Sequence, residues 1–233
     1  MRRKKRTNLN PEEVARFAIE LREVMTSYDP SCILNMDETS WNFVFMNGDV
    51  LAATGDEVVH AQLPDDPRKS FTVLATISAD GSRFPPLFLA TRTTELCHRQ
   101  FQDLKSPKQL YELYHSAHGY TNDDVMEFYF GLVHKWMGGK KCALILDRFR
   151  AHTSQKTRDN AAKYNIRLVF IPTSGTEKFQ PLDIRVFGCL KSSGQCHFDQ
   201  DLFKKQEGHS TSEAADVFIN CWYRLSRDVI NAA

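Results

Sequence analysis

Cys142-Ala143-Leu144-Ile145-Leu146 is the most hydrophobic strand-length run of the chain, and Asp147 follows it directly. Five apolar residues without alternation predict a buried strand that delivers a carboxylate at its end. Outward from that run the pattern is one of alternating elements. On the N-terminal side, Thr121-Asn122-Asp123-Asp124 predicts the cap of a helix running to about Met137, where Gly138-Gly139 stops it. Val125, Phe128, Tyr129, Leu132, Val133 and Trp136 form its apolar side. On the C-terminal side, a helix from Ser154 to Tyr164 leads to a strand from Ile166 to Ile171. Pro172-Thr173-Ser174-Gly175 then opens a loop, and a further helix begins near Pro181-Leu182-Asp183.

The N-terminal half predicts a helix followed by strands. Asn10 as cap, Pro11 at the first helical position and Glu12-Glu13 in the first turn mark a helix entrance. Val14, Phe17, Ala18, Leu21 and Met25 follow at helical spacing, and Tyr28-Asp29-Pro30 ends the element. Cys32–Met36 reads as a strand ending at Asp37, Trp41–Met46 as a second, and Asn47-Gly48-Asp49 as the turn after it. Phe71–Ile77 is a third strand, closed by Asp80-Gly81, and Leu87-Phe88-Leu89 extends the sheet. Residues 91–119 are polar and weakly periodic, a connecting insertion. The fold class is α/β, a mixed sheet flanked by helices on both faces.

Composition bounds the function. The chain has 233 residues, 42% of them hydrophobic and 25% charged, enough for a sizeable core without disulfides or a structural metal. No apolar run approaches the roughly 20 residues needed to cross a bilayer, so no membrane role is expected. Net charge is +1, yet five cations (Arg2, Arg3, Lys4, Lys5 and Arg6) fall in the first six residues. Beyond them 25 cations face 29 acids, a net of −4, so the body is no general DNA-coating surface. The basic run fits either a solvated tail or a nuclear address that also attracts phosphate. The six cysteines are scattered without a CxxC pair, and Cys189, Cys196 and His197 lack the second half of a zinc site.

Three acids stand out. Asp37 and Asp147 are each expected at the end of a buried strand, where a carboxylate is costly unless neutralised. Strand ends are also where open α/β sheets carry their chemistry. Asp183 belongs to the first turn of the late helix, whose Val186, Phe187 and Leu190 form an apolar face. Taken singly, each acid also fits a turn or a helix-dipole role. Taken together on one edge they would repel unless divalent cations lay between them. Hard oxygen donors suit magnesium or manganese, and the matching chemistry is two-metal phosphoryl transfer.

Asn35-Met36-Asp37-Glu38-Thr39, Leu144-Ile145-Leu146-Asp147 with His152, and Gln180-Pro181-Leu182-Asp183 with Phe187 and Lys191 resemble the DDE superfamily endonuclease domain of pogo/mariner-type transposases. Val73–Gly81 with Pro85-Pro86-Leu87 matches the same family, and 35 residues separate Asp147 from Asp183. The resemblance spans residues 31–191. It implies a ribonuclease-H-like fold and metal-dependent DNA cleavage and strand transfer by a DDD triad of Asp37, Asp147 and Asp183, holding two Mg2+ or Mn2+ ions. Residues 1–30 are then a basic tail and N-terminal helix, 31–191 the catalytic domain, and 192–233 a truncated C-terminal helical segment. A nuclear location is expected. DNA is the implied partner, with a homodimer or a separate DNA-binding chain to supply target recognition, because about 30 residues before the first strand are too few for a helix-turn-helix reader.

Two departures set up a rival. Arg148 stands where the family has Asn, and Thr173–Phe179 keeps only part of the usual polar loop. A cation beside the site either repels metal or grips a phosphate. The rival is a catalytically inactive, transposon-derived nucleic-acid-binding or assembly protein. Glu38 is expected to point away from Asp37, and Glu177, in a loop, is a weaker candidate than Asp183. His152 fits either a role in positioning water or phosphate, or a structural one.

Overall fold

The computed structural model describes residues 9–42, 70–91, 101–116, 119–202 and 210–233. The basic run at residues 2–6 and the strand and turn expected over 43–49 lie outside them. Helix α1 (Pro11–Ser27) leads into β1 (Ile33–Asn42), followed by β2 (Ser70–Ser78), β3 (Leu87–Thr91) and β4 (Glu112–Ser116). Then come α2 (Asp123–Trp136), β5 (Cys142–Leu146), α3 (Arg150–Thr153), α4 (Gln155–Lys163) and β6 (Ile166–Phe170). A short α5 (Thr176–Phe179) precedes a π-helical turn, Leu182–Val186, which runs into α6 (Phe187–Leu202). Helices α7 (Thr211–Arg224) and α8 (Arg227–Asn231) close the chain.

The six strands form one sheet in the order β4-β3-β2-β1-β5-β6. β1 is antiparallel to β2, and β5 and β6 run parallel to β1 on its other side. This is the mixed sheet the sequence predicts, with one correction at its centre. Asp37 does not end a strand: β1 continues unbroken to Asn42, so Trp41 belongs to the same strand and not to a second one. The reason lies in the ladders. β1 pairs with β5 only from Ile33 to Asn35, whereas its pairing with β2 runs from Leu34 to Asn42. Asp37 therefore sits where β1 passes beyond the end of β5, a crevice at a strand terminus reached from the side. Residues 91–119 also contribute more than a connection, since β4 lies parallel to β3 as the edge strand.

Alternation along β1 and β2 divides the core. Trp41, Val73, Ala75 and Ile77 face α6 and α7, packing with Leu182, Val186, Phe218 and Trp222. Leu34, Met36 and Leu74 face the other way, onto Val125, Tyr129 and Val133 of α2 and Ala161 of α4. α1 covers β5 and β6 through Phe17 and Val24. Its contact stripe is narrower than expected: Val14, Phe17, Leu21, Val24 and Tyr28 line it, while Met25 is 67% exposed. α7 is anchored at both ends of the sheet. The indole of Trp41 donates to the carbonyl of Ala214 at 3.0 Å, and that of Trp222 to the carbonyl of Phe84 at 2.9 Å. Arg83 donates to the carbonyls of Trp222 and Leu225, filling the electronegative C-terminus of α7 with a cation. Among the described residues no helix is long and apolar enough to cross a membrane.

Candidate active site

Asp37 is the one acid of the central strand that is almost fully buried, 7% exposed. Its Oδ1 accepts from the backbone N–H of Glu38 at 2.9 Å, and its Oδ2 is buried with no partner. Burial, and after it the charge of Asp183, push the carboxyl up to about 8; Asp147 and Glu38 add to the shift. A buried carboxylate without a cation is the donor chemistry that a hard divalent ion satisfies. The orphaned oxygen therefore fits the metal role expected of Asp37.

Asp183 sits in the π-helical turn that opens α6 and reaches Asp37 from the α6 face of the sheet. The two carboxyls are near enough for one shared proton to join them. Burial raises the Asp183 carboxyl, and the cation Lys191 opposes that rise. The turn has a sharp steric requirement upstream. A Cβ on Gly175 would lie 2.8 Å from the carbonyl oxygen of Pro172 and 2.9 Å from the Phe179 ring, so only glycine closes this loop without a shift.

Asp147 follows β5 directly and is held from the opposite side. His152, 2% exposed, lies between Asp147 and Glu38: its Nδ1 is 2.9 Å from Asp147 Oδ1 and its Nε2 3.2 Å from Glu38 Oε1. Both partners are acceptors, so only the imidazolium satisfies both contacts. Burial opposes the charge, but the hydrogen bonds to Asp147 and Glu38 outweigh it and push the group up to about 9. Glu38 does point to the face opposite Asp37, as expected, yet it is tied to the site through His152. Its contact with His152 joins residues 114 apart in sequence, a pairing no spacing rule could find.

The three predicted acids thus gather at one edge, Asp37 and Asp183 together and Asp147 within reach of both in charge. Among the described residues no three His, Cys, Asp or Glu side chains form a closed metal cage, Asp147 being turned toward His152. Glu177 lies in α5 and not in a loop. Arg148 exerts its charge on Glu13, whose carboxyl is lowered first by the backbone N–H of Thr173 and further by Arg148 and Arg16. Phe149 beside it is 47% exposed, and Ile184 beside Asp183 equally so.

A model of the DDE superfamily endonuclease family matches residues 68–233 of the chain, a stretch that holds Asp147 and Asp183. CENP-B homolog protein 2 of Schizosaccharomyces pombe is 26% identical over 192 residues, 80% of this chain and 36% of that protein. The human pogo transposable element with KRAB domain is 24% identical over 179 residues, 75% of this chain and 28% of that one. The chain spans about a third of the length of these relatives. Among solved structures, the mariner Mos1 paired end complex with Mg superposes with a TM-score of 0.60 at 13% identity, covering 100% of this chain and 61% of that one. The catalytic domain of Mos1 mariner transposase gives 0.54 at 12% identity, covering 97% and 88%. Mos1 has also been solved with Mn. The shared architecture is the ribonuclease-H-like sheet that the resemblance implied.

Proposed function

The chain belongs to the DDE superfamily endonucleases, and from that premise we propose that it is a transposase-derived catalytic domain of pogo/mariner type that cuts and joins DNA phosphodiesters with divalent metal. The observation that carries this reading is the uncompensated carboxyl of Asp37, buried on the central strand with Asp183 against it and Asp147 across the crevice. Asp37, Asp147 and Asp183 would hold magnesium or manganese, two ions by the family pattern. Bound there, the metal would polarise a phosphate oxygen and acidify the attacking water or hydroxyl.

The chain's own residues divide the remaining work. His152 fixes the rotamer of Asp147 from the α2 side, in the way a buried partner orients a ligand. Lys191 lowers the cost of charge on Asp183. Arg148 and the exposed Arg150 border the crevice beside Asp147, where guanidinium groups grip phosphates as a fork. DNA is the substrate in this reading, a homodimer or a separate DNA-binding chain selects the target, and the basic run Arg2–Arg6 directs the protein to the nucleus.

The test is nicking of supercoiled DNA in Mn2+ by the wild-type chain and by Asp147→Asn. Cutting that disappears in the variant while DNA binding persists supports the assignment; cutting that survives removes Asp147 from the site. One observation favours a second reading, a DNA-binding protein that keeps the fold without cutting. Oδ1 of Asp147 is already engaged by His152, and Arg148 adds a cation next to it. No Mn2+ binding by calorimetry, with or without a short duplex, would select that reading.

A further inference from the structure

Beneath the three acids lies a pair of buried amides that touches all three elements carrying them. Asn35 is 5% exposed and Gln180 fully buried. Nδ2 of Asn35 donates to Oε1 of Gln180 at 2.5 Å and to the carbonyl of Ile145 at 3.1 Å. Nε2 of Gln180 donates in turn to the carbonyl of Met36 at 3.2 Å. The orientation of both amides is forced, since each Nδ2 or Nε2 meets a carbonyl oxygen that only a donor can face. Asn35 lies two residues before Asp37, Ile145 two before Asp147, and Gln180 three before Asp183.

The backbone of Gln180 is fixed as tightly as its side chain. Its N–H donates to the carbonyl of Thr176 at 3.0 Å, and its carbonyl accepts from the N–H of Ile184 at 3.0 Å. It is the joint between α5 and the turn that bears Asp183. Asn35 and Asp37 share one face of β1, and Asn35 stands opposite Ile145 in the parallel ladder. A shift of Gln180 along β1 would carry Asp183 with it, because only a Pro and a Leu intervene.

Building on the metal reading above, we propose that Asn35 and Gln180 form a clasp that sets the separation of the Asp37, Asp147 and Asp183 carboxyls. They are positioning residues, remote from the reacting atoms. A core with two apolar side chains here would hold the elements by packing alone, which tolerates sliding; directional bonds to two strands do not. Oδ1 of Asn35 has no partner, so the amide was not placed for its own hydrogen-bond economy.

The test compares wild type with Gln180→Met, which keeps volume and removes both bonds, and with the milder Asn35→Ser. Three readouts are taken: thermal midpoint, Mn2+ affinity by calorimetry, and the crystal structure without metal. The expected result is a folded Gln180→Met protein whose Mn2+ affinity falls about tenfold or more, the usual range for loss of a ligand-orienting partner. Asp183 is displaced from Asp37 in its metal-free structure, and the double variant loses no more affinity than the weaker single one. Folded variants with unmoved carboxyls and unchanged affinity would overturn the clasp as a positioning device. So would failure of both variants to fold, which would make it a folding element. If wild type itself binds no Mn2+, the metal reading falls, and the carboxyl positions in the metal-free structures alone decide whether the clasp sets them.

Discussion

Nδ1 of His152 stands 2.9 Å from Oδ1 of Asp147 in a site where the imidazole is 2% exposed. The pair makes stability depend on pH in a defined direction. The folded state holds the His152 proton up to about 9, above the ordinary value of 6.5. Its contribution is complete below pH 6.5 and is lost as pH rises from there through about 9. Urea denaturation at pH 6 and pH 10 should show this decline in wild type and a much flatter profile in His152→Gln. At pH 6 the variant should be less stable by about 3 kcal/mol, the scale for removing one partner of a buried ion pair.

Asp37 should behave in the opposite sense to an ordinary stabilising acid. Its carboxyl is raised from 3.8 to about 8, so ionisation above pH 4 costs stability, and the full cost is reached above pH 8. Asp37→Asn should therefore stabilise the metal-free protein at pH 8.5 by about 2 kcal/mol, or roughly 6 °C in thermal midpoint. Added Mn2+ should raise the midpoint of wild type and leave that of the variant where it was. A variant that melts below wild type in chelator would show that the buried carboxylate is satisfied by some other group.

Arg83 joins β2's exit to the end of α7. Arg83→Met should lose two charge-assisted bonds to helix carbonyls, at a cost of about 2–3 kcal/mol by chemical denaturation, with Arg83→Lys recovering part of it. Mn2+ affinity should be unchanged in both, since Arg83 is not among the groups whose charge acts on Asp37 or Asp183.

Gly175→Ala should destabilise by about 1–3 kcal/mol, because the new Cβ meets the Pro172 carbonyl at 2.8 Å and the loop must open. Thermal melts would check this, with Gly188→Ala on α6, where a Cβ meets nothing within 4 Å, as the neutral or stabilising control.

What could be read from the chain in advance follows the range of the interactions. Asn122 caps α2 by accepting from Asp124 and Val125, and Ser154 caps α4 from Thr157, both as their local sequence dictates. Asp147 was legible because an apolar run points to it. Asp37 reads as a strand end in the sequence because the extension of β1 depends on β2, a partner more than thirty residues away, and nothing in Glu38–Asn42 announces it. β4 has no clear sequence signal because Glu112-Leu113-Tyr114-His115-Ser116 is a half-exposed edge with little apolar alternation. Helical spacing puts Met25 on the apolar side, whereas Val24 is the buried residue, since α1 contacts β5 and β6 along a stripe of alternating three- and four-residue steps. The Glu38–His152–Asp147 chain and the Asn35–Gln180 clasp could not be anticipated, both being contacts across more than a hundred residues.

Trp41 finds its hydrogen-bond partner at Ala214, 173 residues further on, and its ring partners at Phe198 and Phe218. The central strand thus waits for α7 to be synthesised before the indole N–H of Trp41 meets its acceptor. At a ribosome adding about 5–20 residues per second, that interval lasts some ten seconds or longer, during which an indole and the face around it remain open to chaperones or to another nascent copy. Such long-range closure is slow in refolding as well. A chain released before α7 emerges would carry Asp37 on a strand whose other-face neighbours Phe218 and Trp222 are missing, so the central strand of such a fragment is left half covered.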